Sequence, residues 1–139
     1  MELKGTHKFA APPQTVWDAL HNPETLKSCI PGVDEMMWKD ANSLYAKVAG
    51  FGPMKGPFYF TVPVVAQSAP SHMKLAVNRT AIKGALEVML SPEGSGTLLT
   101  YTASATFSGA ASVIDNPLTR PMVDSQIGQI FSRLESKIG

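Results

Sequence analysis

The sequence predicts an α+β domain: a curved antiparallel sheet of about six to seven strands wrapped around a long C-terminal helix, with two short helices after the first strand. Three observations carry this reading. Alternating apolar and polar runs separated by turn residues fill the chain from residue 33 to residue 107. Two proline-led helical segments stand together near the start, in "APPQTVWDALHNPETLKS". The last stretch steps its apolar residues by three and four, the period of a helix with one buried face.

The 139 residues, 44% of them hydrophobic, suit one globular domain spanning 1–139 around a single core. Twelve Lys and Arg stand against 11 Asp and Glu, with no run of more than two like charges. A nucleic-acid partner needs a clustered basic face, so that class is excluded. Charges at Glu2, Lys4 and Lys8 interrupt any secretory leader, and no window has the length of a membrane span. A cytoplasmic protein is the expectation. Cys29 is the only cysteine, which leaves no intramolecular disulfide and no cysteine-based zinc cluster.

Residues 2–10 form the first predicted strand, with Leu3, Gly5, His7 and Phe9 on one face and Glu2, Lys4, Thr6 and Lys8 on the other. Prolines then open a helix carrying Val16, Trp17 and Leu20 at helical spacing. Pro23 stops it, and Asn22 is placed to cap a second short helix. Pro31 and Gly32 turn the chain into the sheet. Two strands follow, 33–39 and 43–50, joined by the turn residues of 40–42.

"GFGPMKG" has glycines but lacks the phosphate-loop pattern and precedes a strand, so it reads as an exposed turn between long strands. In 57–67, Phe58, Phe60, Val62 and Val64 share a face; Pro63 has no N–H to donate, which predicts an edge or a bulge there. Strands 72–79, 81–90 and 97–107 complete the meander, the last with Leu99, Tyr101, Ala103, Ala105 and Phe107 on its apolar face. In the final helix the stripe is Met122 or Val123, Ile127, Ile130 with Phe131, Leu134 and Ile138. Pro121 would kink a helix begun before it, so the start is placed near residues 117 to 121, with "GAASVI" as a loop or a separate helical turn.

Strands joined by short turns pair antiparallel, and one face of the sheet needs a cover. Only the last helix is long enough. A strongly curved sheet closed over one helix leaves an apolar cavity of the kind that binds ligands.

Three segments, "LKGTHKFAAPPQTVWDALHNPETLKSCIPGVDEM", "FGPMKGPFYFTV" and "GSGTLLTYTASA", resemble the carbon monoxide dehydrogenase G-subunit family, within the START-like, helix-grip superfamily of polyketide cyclases and lipid-transfer proteins. The likeness covers residues 1 to about 107, and "P..VW..L.....L..CIPG" and "GP.KG.F" are motifs of that branch. The resemblance implies a single helix-grip domain with a hydrophobic pocket between sheet and helix. It also implies an accessory role beside a molybdenum-containing oxidoreductase, with a lipid-soluble quinone as the favoured ligand; no cofactor is assigned. Some relatives carry a C-terminal extension for membrane attachment. The sequence here stops at Gly139, so at most peripheral membrane contact is expected.

The pocket candidates are the inward residues His7, Phe9, Phe58, Phe60, Val62, Leu75, Leu86, Val88, Leu99, Tyr101, Met122, Ile127, Ile130 and Phe131. His7 reads first as a core or rim histidine satisfied by hydrogen bonds, and second as a polar handle inside an apolar pocket. Catalysis by it would need a second inward acid or base, and none is evident on a strand, because Glu87 falls opposite to Leu86 and Val88. No catalytic residue is therefore assigned. Cys29 lacks a neighbouring base and reads as core. His21 and His72 read as solvated, and three histidines without ligand spacing give no metal site. Two other functions remain open: a polyketide cyclase-like or hydrolase-like enzyme using the same cavity, and a ligand-free recruitment factor.

Overall fold

The first alternating run becomes strand β1, Glu2–Phe9, with Leu3, Gly5, His7 and Phe9 turned inward and the intervening residues exposed. The computed structural model describes residues 1–51, 54–78, 82–109, 112 and 119–138, leaving aside the side chains at 50, 51, 54 and 119. Helix α1, Pro13–Leu20, has proline in its first turn and buries Val16, Trp17, Ala19 and Leu20. Helix α2, Pro23–Cys29, starts as the sequence predicts: the Asn22 side chain accepts from the N–H groups of Glu24 and Thr25 at 3.1 and 3.3 Å. Such a cap is worth about 1 kcal/mol. Gly32 leaves the helix corner at φ +83°, a left-handed conformation that L side chains rarely adopt.

The meander then runs through β2 (Val33–Asp40), β3 (Ser43–Phe51), β4 (Met54–Ser68), β5 (His72–Asn78), β6 (Ile82–Glu93) and β7 (Gly96–Phe107). All neighbours pair antiparallel, in the order β1-β7-β6-β5-β4-β3-β2. The two short helices thus carry the chain from one edge strand to the other, and the meander returns to close on β1. The turn expected over 50–56 is shorter than that: β3 and β4 run into it and pair through Gly50↔Lys55 and Phe51↔Met54, while 52–53 lie outside the described residues.

Strand β4 holds the bend. It pairs with β3 as far as Ser43↔Pro63 and with β5 from Val64↔Leu75 onward, with a register shift between Val64 and Ala66. Pro63, which has no N–H to give, falls at the handover between the two ladders, beside the bulge. Bulges bend a strand and increase its twist, which curves the sheet here. Strands β6 and β7 run past the predicted turn at 91–96, because pairing continues through Ser91↔Leu98, Pro92↔Thr97 and Glu93↔Gly96.

Helix α3, Thr119–Ile138, lies within the predicted region and covers the inner face. The segment 110–118, apart from Ser112, lies outside the described residues, and with it the expectation for "GAASVI". The core joins Phe9 of β1, Val16, Trp17 and Leu20 of α1, Cys29 of α2, Met73, Val88, Leu90, Leu99 and Tyr101 of the sheet, and Phe131 and Leu134 of α3. Leu99, Leu134, Val16 and Cys29 are fully buried. Burying an aliphatic side chain of that size stabilises the fold by about 1.5–3 kcal/mol.

Candidate ligand-binding site

Phe131 is the hub of the inner face. Helix α3 lays its ring 5.5 Å from Tyr101, 6.1 Å from His7 and 6.5 Å from Phe9, the last contact edge-to-face at 81°. His7 and Phe9, two residues apart on β1, lie side by side with ring centroids 4.8 Å apart and planes tilted by 59°. Gly5 makes room for Tyr101, its partner across the β1–β7 ladder. A Cβ there would stand 2.8 Å from the Tyr101 hydroxyl and 3.0 Å from the ring, so the phenol lies directly over the glycine.

Two carboxylates reach this apolar centre from the helix. Glu135 Oε2 stands 2.7 Å from His7 Nε2, and Tyr101 donates its hydroxyl to Asp124 Oδ1 at 3.0 Å. Asp124 precedes Phe131 by two helical turns and Glu135 follows it by one, which lines all three up on the sheet side of α3. Burial, reinforced by the bond to the Asp124 carboxylate, raises the Tyr101 pKa above its ordinary 10.0, so the phenol is held protonated and donating.

These carboxylates are what a strand-by-strand reading misses. The inward faces of the strands do lack Asp and Glu, since Glu87 sits on the polar side, bonded to His72 at 2.7 Å. That bond holds the Glu87 carboxyl below its ordinary range. The helix supplies the acids instead. The available signal was Asp124 and Glu135 flanking the stripe Ile127, Phe131, Leu134, where a carboxylate can reach around to a polar group on the facing sheet.

Of the predicted pocket residues, Phe9, Val88, Leu99, Tyr101 and Phe131 are buried together, and Leu75, Leu86, Ile127 and Ile130 pack against them. His7 joins them as a half-buried neighbour of Phe9 and Phe131. Phe58, Phe60 and Val62 line the β4 wing instead; Phe60 is buried but outside that cluster, with Phe58 at 6.5 Å. Met122 is 51% exposed, on the outer side of the first turns of α3, and is not brought to the centre.

The two remaining histidines are less solvated than the sequence suggests. His72 is engaged by Glu87. His21, at the end of α1, lies between Trp17 at 4.4 Å and Trp38 at 5.6 Å, the latter stacked within 10°. Its Nδ1 bonds to the Trp17 carbonyl at 2.8 Å, while Nε2 is buried without a partner among the described residues. Cys29 is fully buried, away from any solvent-borne substrate, and its carbonyl accepts from Arg133 of α3 at 3.1 Å. An open hollow of about 430 Å³ runs along Glu2, Leu3, Lys4, Thr102, Ala103 and Ser104, touching none of the predicted site residues. Among the described residues no three His, Cys, Asp or Glu cluster as a metal site, and no helix is long and apolar enough to cross a membrane.

A curved seven-stranded antiparallel sheet gripping one long helix, with two short helices bridging its edges, defines a START-like helix-grip protein. A START superfamily protein from Mycobacterium smegmatis shares this fold with a TM-score of 0.79 at 14% identity, over 99% of this chain and 96% of that one. A conserved protein from Geobacillus kaustophilus superposes with a TM-score of 0.86 at 24% identity, covering 99% of this chain and 95% of that one. A Nitrosomonas europaea protein gives 0.74 at 18% identity, covering 98% and 92%. No curated protein gives a significant sequence match. Over residues 5–139 the sequence matches the carbon monoxide dehydrogenase G-subunit (CoxG) family, and the chain belongs to it.

Proposed function

We propose that this protein is a cytoplasmic binding module that holds a hydrophobic small molecule between sheet and long helix, as an accessory to a molybdenum-containing oxidoreductase. Family membership and fold support the hydrophobic-ligand role. The observation that carries it is the inner face: aromatic rings around Phe131, lined by aliphatic strand residues and flanked by two polar groups, His7 and Tyr101, held by helix carboxylates. Sites of this composition bury most of an apolar ligand and orient it with a few polar contacts. A lipid-soluble quinone, an apolar chain bearing a ring with oxygens, matches that composition.

The test is native mass spectrometry of the purified protein, followed by organic extraction and identification of what is retained. A stoichiometric isoprenoid quinone or other lipid is expected. An empty protein that also fails to bind added quinones would sink the quinone reading. The His7–Glu135 pair favours one competitor, the cyclase-like or hydrolase-like enzyme, because a carboxylate that orients an imidazole is what a general base requires. Turnover on an aromatic polyketide or ester panel, lost in His7→Ala, would establish that alternative; we expect none.

A further inference from the structure

We propose that the inner site presents hydrogen-bond acceptors, and therefore selects an apolar ligand that carries a hydroxyl group over the matching ether or carbonyl compound. This rests on the ligand-cavity reading above and names the chemistry of the ligand within it.

The inference follows from proton placement. A carboxylate at neutral pH only accepts, so the 2.7 Å contact with Glu135 requires a proton on His7 Nε2. In a neutral imidazole the other nitrogen then carries a lone pair. Nδ1 meets no hydrogen-bond partner among the described residues, and the His7 side chain stays 20% exposed. The ring lies beside both Phe9 and Phe131, so a group that reaches it does so next to aromatic surface. Tyr101 repeats the pattern. Its single proton is committed to Asp124, leaving its oxygen as an acceptor toward anything placed near Phe131.

His7 and Tyr101 have both committed a proton to the helix. A hydroxyl approaching either one completes a hydrogen bond, whereas a carbonyl or ether oxygen meets lone pair against lone pair. Of a quinone and its quinol, the dihydroxy form is the more tightly held.

The experiment compares three probes of similar shape, para-nonylphenol, its methyl ether and the corresponding benzaldehyde, by fluorescence titration of the wild-type protein. The phenol is expected to bind about two- to twelvefold tighter than either comparator, the span of one net hydrogen bond. In His7→Phe that ratio falls toward unity while the ether keeps its affinity. In Glu135→Ala, where either ring nitrogen is free to carry the proton, the benzaldehyde gains on the phenol, a change that simple loosening of the helix would not produce. Equal binding of all three probes, or tighter binding of the benzaldehyde, overturns the proposal and leaves the cavity reading intact. Failure of all three to bind overturns both.

Discussion

The two ends of helix α3 are fastened differently. Toward the C-terminus, Leu134 is fully buried, Phe131 is 7% exposed, and Arg133 ties the helix to the Cys29 carbonyl of α2. Toward the N-terminus, Arg120, Pro121, Met122 and Asp124 are exposed, and one polar tie is the bond from Tyr101 to Asp124. The difference teaches where each job is done: full apolar burial fixes the C-terminal half, while the N-terminal half packs through the partly buried Ile127 and adds a hydrogen bond from Asp124 at the margin of the inner face.

The largest effect that sharpens this contrast is expected from Leu134→Ala. Truncation at a fully buried site costs about 2–5 kcal/mol, read as a drop in unfolding free energy by urea titration. A loss below about 1 kcal/mol would mean that the C-terminal half is not the anchor. Next comes Arg133→Met, which removes the bond to α2 and is expected to cost about 0.5–1.5 kcal/mol in the same measurement.

At the other end, Asp124→Asn is expected to lower the Tyr101 titration midpoint, followed by ultraviolet absorbance. The value should stay above 10.0, because burial is the larger cause of the shift and persists in the variant. The sign for stability follows from linkage. The folded state holds the Tyr101 proton more tightly than the unfolded chain does. Its contribution is therefore fully present below pH 10.0 and is lost as pH rises through the folded pKa. Asp124→Asn should flatten that alkaline decline, and an unchanged profile would break the assignment of Asp124 as the tie. The smallest effect belongs to Met122→Ser, at a position 51% exposed, where a change within about 0.5 kcal/mol is expected.

Much of the fold was legible because its signals are local. The cap at Asn22, the turn at Gly32 and the inward set Leu3, Gly5, His7 and Phe9 each depend on residues within a turn or two of themselves. Pro63 announced an irregularity for a local reason as well, a missing N–H. That it marks the passage from the β3 ladder to the β5 ladder was not legible, since this depends on which strands lie on either side. His21 misled for a similar reason: a turn histidine reads as solvated unless it is known that Trp38, 17 residues on, closes over it.

The candidate site divides in the same way. Alternation alone determined that His7 and Tyr101 face inward, because side chains on a strand change sides at every residue whatever the rest of the chain does. Periodicity alone determined that Phe131 belongs to the buried stripe of the last helix. Only the tertiary structure decided that Glu135 meets His7 across 128 residues of sequence, and that Asp124 meets Tyr101. Those contacts depend on the rotation and depth at which α3 docks on the sheet, which are set by the packing of Phe131 and Leu134 into a core shared with the sheet and both short helices. No pattern within the helix itself encodes that docking.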